Sequence, residues 1–308
     1  MKTSLLLCRL FLVAVLLTGA LPAAAQAAGL LADRPRIAVV SAFEPEWTIL
    51  KSELVDPVEH KINGRSFITG KLAGKDVVLF LSGISMVNAS MNTQLALDRF
   101  SLTAVVFSGI AGGVDPSLHI GDVVIAERWG QYLETVFARE TPDGFVIPPW
   151  MEKGQFPGYG MMMPRSVVVT RKDAEPESRF WFSSDAGLLD IARKVASDVD
   201  LTHCAETDKC LVNKPRIIVG GSGVSGQAFV DNAKFREYVS ATFQAKVLDM
   251  ESAAVAHVAY ANGVPFLAVR SLSDLAGGDG GANEMMTFMA LASKNSATVV
   301  KAILTEMP

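Results

Sequence analysis

Short apolar runs recur along this chain with room for a helix between them, and that alternation limits the fold more than any other feature. Arg36–Phe43, Asp76–Leu81, Leu102–Phe107, Gly121–Ala126, Arg216–Gly220, Ala245–Leu248 and Pro265–Arg270 are dominated by Val, Ile, Leu, Phe and Ala. Continuous apolar runs of this length are predicted strands buried on both faces. A further strand is predicted within Lys61–Leu72. Glu44–Leu50, Met86–Phe100, Ala186–Ser197, Asp231–Thr242, Met250–Asn262 and Asn283–Thr305 are predicted helices. Pro45 and the acids beside it suit a first helical turn. Ser85 and Asp231 are predicted caps, and Asn262-Gly263 a helix end. Val87, Met91 and Leu95 are the predicted apolar stripe of the second helix. Strands alternating with helices define the α/β class with a largely parallel sheet. Half of the 308 residues are hydrophobic, enough to bury a large core.

The first 27 residues stand outside this rhythm. Lys2 and Arg9 make a positive start, Leu10–Leu17 is apolar, and Ala23–Ala28 offers small-residue cleavage positions. This is the layout of a secretory signal peptide, cut after Ala25 or Ala27. The apolar run is short against the ~20 residues of a membrane span. The mature chain, 28–308, is expected to be exported, periplasmic or secreted, with no membrane partner. The formal charge is −4 and no basic patch occurs, so nucleic acid is not an expected partner.

Of the three cysteines, Cys8 leaves with the leader. Cys204 and Cys210 are close in sequence in an oxidising compartment and are expected to pair, free thiols being the alternative. So short a loop gains only about 2.4 kcal/mol, which pins a local loop rather than the fold. No metal site is expected: the spacing is not CxxC and His203 is the only nearby histidine.

Residues 133–215 read as an irregular insertion. Its 133–185 portion holds many prolines, glycines and aromatics, with Met161–Met163 among them, and reads as a long excursion containing a hairpin, either a lid or a surface embellishment. Further on, Gly221-Ser-Gly-Val-Ser-Gly226 has the GxGxxG spacing. A dinucleotide fingerprint requires its last glycine to open a helix. Gln227–Val230 reads as extended instead, so no dinucleotide cofactor is expected.

Polar chemistry concentrates at two strand ends. Asp249 and Glu251 flank Met250 where a strand runs into a helix, and Ser273-Asp274 ends another strand. Ligands of open α/β sheets sit at the carboxyl ends of strands, although Asp and Ser also serve as plain helix caps. His60, His119, His203 and His257 show no ligand spacing, and His257 reads as a satisfied core or interface residue. No Ser-His-Asp order argues for acyl transfer.

Taken in order, Ser41-Ala-Phe-Glu-Pro-Glu46, Ser82-Gly-Ile84, Ser108-Gly-Ile-Ala-Gly-Gly113 with Gly121-Asp122, Ser225-Gly-Gln-Ala-Phe229, Asp249-Met-Glu251 and Arg270-Ser-Leu-Ser-Asp274 resemble the nucleoside phosphorylase superfamily. The resemblance covers about residues 35–305 apart from the irregular middle. It is closest to the branch of methylthioadenosine/S-adenosylhomocysteine nucleosidase. Phe229-Val-Asp-Asn232, Asp274-Leu-Ala-Gly-Gly278 and the two-cysteine loop further resemble an exported subgroup that includes plant bark storage proteins. The resemblance implies one domain, a three-layer sandwich with a mixed, largely parallel sheet flanked by helices. It implies a homo-oligomer, a dimer, and no metal or organic cofactor.

The roles it implies are specific. Asp274 is the general acid toward the purine, with its proton affinity raised, and Ser273 positions it. Glu251 binds the ribose hydroxyls and favours the developing sugar cation. Met250 lies under the sugar, Phe229 stacks on the base, and the backbone beside Val230 reads the base edge. Glu46 activates water, with Arg270 near that water. Ile110, Ala111 and Gly112 line the site in the glycine-rich turn, where Ile110 departs from the serine of the nucleosidases. A phosphorylase carries arginine in the loop after the first strand. Glu44 and Glu46 stand there instead and repel a phosphate dianion. Hydrolysis of an adenosine-type nucleoside, methylthioadenosine and S-adenosylhomocysteine included, is therefore the expected reaction. Phosphorolysis and a nucleoside-binding storage role are the alternatives.

Overall fold

Side chains along Ile37–Val40 and Ala104–Phe107 point alternately to opposite faces of a sheet, and every one of them is buried. Ala38, Val40, Val105 and Phe107 pack on one side, Ile37, Val39, Ala104 and Val106 on the other. A sheet apolar on both faces needs helices on both, and that requirement makes three layers. Each fully buried Val, Leu, Ile or Phe contributes about 1.5–3 kcal/mol.

The computed structural model describes residues 29–308 apart from 153, 206–208 and 279, so the expected signal peptide lies outside the described residues. The elements run β1 (Ala32–Ser41), α1 (Glu44–Ser52), β2 (Val55–Ile62), β3 (Arg65–Leu72), β4 (Lys75–Leu81), α2 (Met86–Arg99), β5 (Phe100–Gly113), β6 (Val123–Ile125), β7 (Arg128–Gln131), β8 (Thr135–Phe137), β9 (Arg139–Thr141), β10 (Gly144–Val146), β11 (Met162–Pro164), β12 (Val167–Val169), β13 (Glu177–Arg179), β14 (Trp181–Ser183), α3 (Ala186–Val195), β15 (Ile217–Val219), β16 (Ser222–Ser225), α4 (Ala233–Phe243), β17 (Ala245–Asp249), α5 (Ser252–Asn262), β18 (Phe266–Asp274) and α6 (Met285–Glu306).

One 12-stranded mixed sheet follows the order β14-β7-β16-β17-β5-β1-β4-β3-β2, with β18 joined to β5 and β6, and β15 to β6. The centre is parallel: β4, β1, β5 and β18 all point the same way. The β2-β3-β4 edge is antiparallel. Helices α2 and α5 cover one face, and α1, α3 and α6 the other. Parallel β5 and β18 bring Gly109–Gly112 and Arg270–Asp274 side by side, which is where the acidic strand ends converge.

Several local expectations are corrected. Ser108–Gly113 is not a turn but the second half of the long strand β5, buried throughout. Helix α2 turns Ala89, Asn92, Thr93 and Ala96 inward, leaving Val87 and Met91 exposed and Leu95 half-buried. Small residues let the helix approach the sheet closely, so the bulkier stripe faces out. Asn232, not Asp231, caps α4 through the Phe235 N–H. Ser85 sits at the N-cap of α2 but makes no side-chain cap bond. Helix α5 begins at Ser252 rather than Met250. The 133–215 block is less irregular than expected: it holds the β9–β10 hairpin, two further strand pairs, α3, and β14, which joins the main sheet. Phe156 packs on Phe180, Trp181 and Phe243 and fastens this block to α4. Cys204 and Cys210 form a disulfide. Gly221–Gly226 opens no helix, because β16 occupies it.

Candidate active site

A cavity of about 210 Å3 opens at the ends of β5, β17 and β18, closed in by α1, the Phe229 loop and the start of α6. Glu46, Ile110, Ala111, Gly112, Phe229, Val230, Met250, Glu251, Ser273 and Asp274 all line it, as does Asp249. Residues far apart in sequence are thus brought together. Arg270 is the exception: it is fully buried and lies behind the cavity wall rather than in it.

Asp274 ends β18. It accepts hydrogen bonds from Ser273 Oγ at 2.9 Å and from the Ala276 N–H at 2.8 Å. Burial pushes its pKa above the ordinary range, against those two donors and the Asn283 amide. A neutral carboxylic acid can donate a proton into the cavity. Gly112 keeps this corner open: a Cβ there would lie 3.3 Å from Asp274 Oδ1.

Glu46 stands in the first turn of α1. Its Oε2 accepts from the N–H groups of Ala42 at 2.5 Å and Phe43 at 3.3 Å, and its Oε1 from the Ile110 N–H at 2.9 Å. Its pKa is nonetheless raised, because burial outweighs Arg270 and these N–H groups. Glu251 precedes α5 and accepts from the Ser85 N–H at 2.7 Å. Burial and the neighbouring Asp249 push its pKa up to about 8, with Arg270 opposing.

Arg270 organises the acids from behind. Its Nε lies 2.8 Å from Asp249 Oδ2 and donates to Ser252 Oγ at 2.9 Å. Its Nη1 and Nη2 lie 3.8 Å from Glu46 and Glu251 respectively, and neither makes a hydrogen bond among the described residues. The guanidinium sits over the Phe107 ring, Cζ 4.0 Å from the centroid. Gly109 makes room for it, since a Cβ at that position would fall 1.8 Å from Nη1 and 2.6 Å from Glu46 Oε1. One guanidinium faces three carboxyl groups in a buried space. Burial there raises the proton affinity of Glu46 and Glu251. Asp249 has the structural part of this cluster: it accepts from Ser225 and Ser252 Oγ and from the N–H groups of Glu251 and Ser252 at the start of α5.

Phe229 is 56% exposed and so is not core; it stands at the cavity mouth. His257 bonds Gln131 and stacks on Phe182, and has no acid partner among the described residues. Among the described residues no group of three or more His, Cys, Asp and Glu could hold a metal ion, and no helix is long and apolar enough to cross a membrane. The lining also includes Phe43, Ile84 and Met285, which sequence reasoning did not assign to the site. Phe43 lies within the Ser41–Glu46 motif and Ile84 within Ser82–Ile84, which gave a signal for both; Met285 lies in neither and carried none.

A stability consequence follows from the raised carboxyls. Glu46, Glu251 and Asp274 bind protons more tightly folded than unfolded. Their contribution is complete below the ordinary carboxylate range and is lost as pH rises through the folded values. The melting temperature of the ligand-free protein is expected to fall between about pH 5 and pH 8.5, the upper end set by Glu251. A rise across that interval in calorimetry contradicts the assignment.

The chain belongs to the phosphorylase superfamily, whose pattern matches residues 36–305. It is 32% identical over 271 residues to the 5′-methylthioadenosine/S-adenosylhomocysteine nucleosidase of Halalkalibacterium halodurans, a match spanning 87% of this chain and 97% of that protein. The Neisseria meningitidis enzyme of the same name, solved with methylthio-immucillin-A, superposes with a TM-score of 0.66 at 26% identity over 88% of this chain and 99% of that one. The futalosine hydrolase of Helicobacter pylori also superposes with a TM-score of 0.66, at 23% identity, over 89% of this chain and 98% of that one. At that identity the likeness shows the fold alone.

Proposed function

We propose that the chain is a purine nucleosidase that hydrolyses the N-glycosidic bond of adenosine-type nucleosides to free base and sugar. One observation carries the choice of water over phosphate. Among the described residues the cavity is lined by Glu46, Asp249, Glu251 and Asp274 and by no Lys, Arg or His. A phosphate dianion would meet carboxyl groups with no exposed cation to pair with. Asp274 protonates the leaving base, Glu251 holds the ribose hydroxyls, and Glu46 takes the proton of the attacking water. Met250 and Phe229 contact sugar and base. Arg270 holds Glu46, Asp249 and Glu251 in one arrangement from behind. The apolar side chains of Phe43, Ile84 and Met285 favour an apolar 5′ substituent, as in methylthioadenosine.

Incubation with methylthioadenosine, S-adenosylhomocysteine, adenosine and inosine, with and without phosphate, tests this. Free base and unphosphorylated sugar at equal rates in both conditions are expected. A sugar 1-phosphate formed only with phosphate makes the chain a phosphorylase. Binding with no base released from any of the four makes it a storage or binding protein.

Residues 1–27 act as a signal peptide, and the mature protein works in the periplasm or outside the cell. The Cys204–Cys210 bond supports an oxidising compartment. The protein is a homodimer joined through α2. Exposed Val87, Met91 and Val168 line one apolar groove that reaches His257 and Val258 on α5, and such patches on soluble proteins are commonly covered by a partner. The double substitution Val87→Glu with Met91→Glu is expected to give a monomer in analytical ultracentrifugation. An unchanged dimer places the interface elsewhere.

A further inference from the structure

Ser85 has φ 76° and ψ 160°, a backbone region entered almost only by glycine. Its hydroxyl gives no cap bond, so helix capping does not explain the conformation. What the conformation achieves is to aim the Ser85 N–H at Glu251 Oε1, 2.7 Å away. Among the described residues no other donor is hydrogen-bonded to the Glu251 carboxyl; Arg270 Nη2 stands 3.8 Å off. Strained backbone of this kind persists only where its surroundings over-determine it, and the Ser82–Ser85 turn is held at every residue, Gly83 through its carbonyl, which accepts from Ser82 Oγ at 3.0 Å. The Ser82 N–H donates to Ser41 O at 2.7 Å, and Asn92 Nδ2 donates to Ser82 O at 2.7 Å. Asn88 Nδ2 donates to Ile84 O at 2.8 Å, and the Ala89 N–H to Ser85 O at 3.0 Å. Gly83, also at positive φ, lets Asn88 pack against it: an added Cβ would lie 3.0 Å from Asn88 Cβ.

We propose that Ser85 is a positioning residue: the turn between β4 and α2, clamped by Asn88 and Asn92, holds a strained backbone N–H that fixes the Glu251 carboxylate toward the sugar. The charged groups facing Glu251 are Asp249 of β17, Glu46 of α1 and Arg270 of β18, and the first turn of α2 adds none. Asp249 and Glu46 favour a proton on Glu251, while Arg270 and the Ser85 N–H favour its removal. The bond therefore sets both the direction of the carboxylate and the fraction of it ionised at neutral pH.

This rests on the nucleosidase reading. The test replaces residue 85 in the full chain by its α-hydroxy acid, turning the N–H into an ester oxygen, and follows kcat/KM for methylthioadenosine across pH. A hydrogen bond to a charged group implies a loss of about tenfold or more at neutral pH. The rising limb of the profile should move to higher pH, and the difference should close at alkaline pH. Superimposable profiles overturn the proposal, and so does an equal loss at every pH, the mark of a merely structural role. Should the ester protein not fold, Asn88→Ala withdraws one clamp from a half-buried position and is expected to shift the same limb by less; no shift overturns the proposal. Ser85→Gly is expected to raise the melting temperature by releasing strain, and a lowered one contradicts the strain. If the wild-type chain releases no base, the proposed function fails instead, and the pH dependence of nucleoside affinity gives the same comparison for Glu251.

Discussion

Asp274→Asn is expected to lower kcat for base release by about 10²–10⁴-fold while KM stays within a few-fold. Asn is isosteric with the neutral acid, and its oxygen can still accept from the Ala276 N–H. Substrate therefore still binds. What Asn cannot do is pass a proton to the purine as the glycosidic bond breaks, so the loss falls on the transition state. It amounts to about 2.7–5.5 kcal/mol at 1.36 kcal/mol per tenfold. Folding should not suffer. Burial already holds Asp274 above its ordinary pKa, so the neutral amide removes a desolvation penalty that grows as pH rises. Steady-state kinetics with a melting curve at alkaline pH separate the two effects. A kcat within a few-fold of wild type excludes Asp274 as the acid.

Glu46→Gln should be nearly inactive as well, by about 10²–10⁴-fold, because an amide cannot take a proton from water. Here a second effect accompanies the first. Both oxygens of Glu46 accept from backbone N–H groups, Oε2 from Ala42 and Phe43 and Oε1 from Ile110. Gln has one oxygen and an NH2, so one side must face N–H against N–H. Leaving a buried donor unmet costs about 1–3 kcal/mol. Lower stability than wild type is thus expected together with lost hydrolysis, in contrast to Asp274→Asn. Hydrolysis unchanged in Glu46→Gln removes it from the mechanism.

The contrast between these two acids shows where sequence reading stops. Asp274 and Glu251 were legible because one ends a strand and the other lies two residues beyond a strand end, each beside a small or apolar residue, a local pattern. Glu46 was legible only within an ordered set of motifs, since an acid in a first helical turn is commonplace. Arg270 is expected near the water and lies beside Glu46, but fully buried, behind three carboxyl groups. Its motif gave its place in the chain but not its depth. Ser108–Gly113 looked like a turn for a related reason. Glycine signals backbone freedom or close approach, and only the packed structure distinguishes them: Gly109 is there for the Arg270 guanidinium.

Helix α2 makes the same point. Its period of 3.6 was evident, yet Val87 and Met91 face outward and Ala89, Asn92, Thr93 and Ala96 inward. Periodicity locates a stripe but does not say which neighbour covers it.

The sequence by itself determined the layering and most of the residues that line the cavity, Met285 excepted. Apolar runs buried on both faces require helices above and below, and acids at strand ends mark a polar edge of the sheet. Asp249 reaches the end of β18 because β17 runs antiparallel to the last residues of β5, beside which β18 runs parallel. Tertiary structure alone decided the rest: which groups hold each carboxyl, how deep Arg270 lies, and which acids keep a proton. Proton affinity in a buried site depends on distance to other charges and to N–H donors. Those distances arise between α1, β5, α5 and β18, which no local pattern relates.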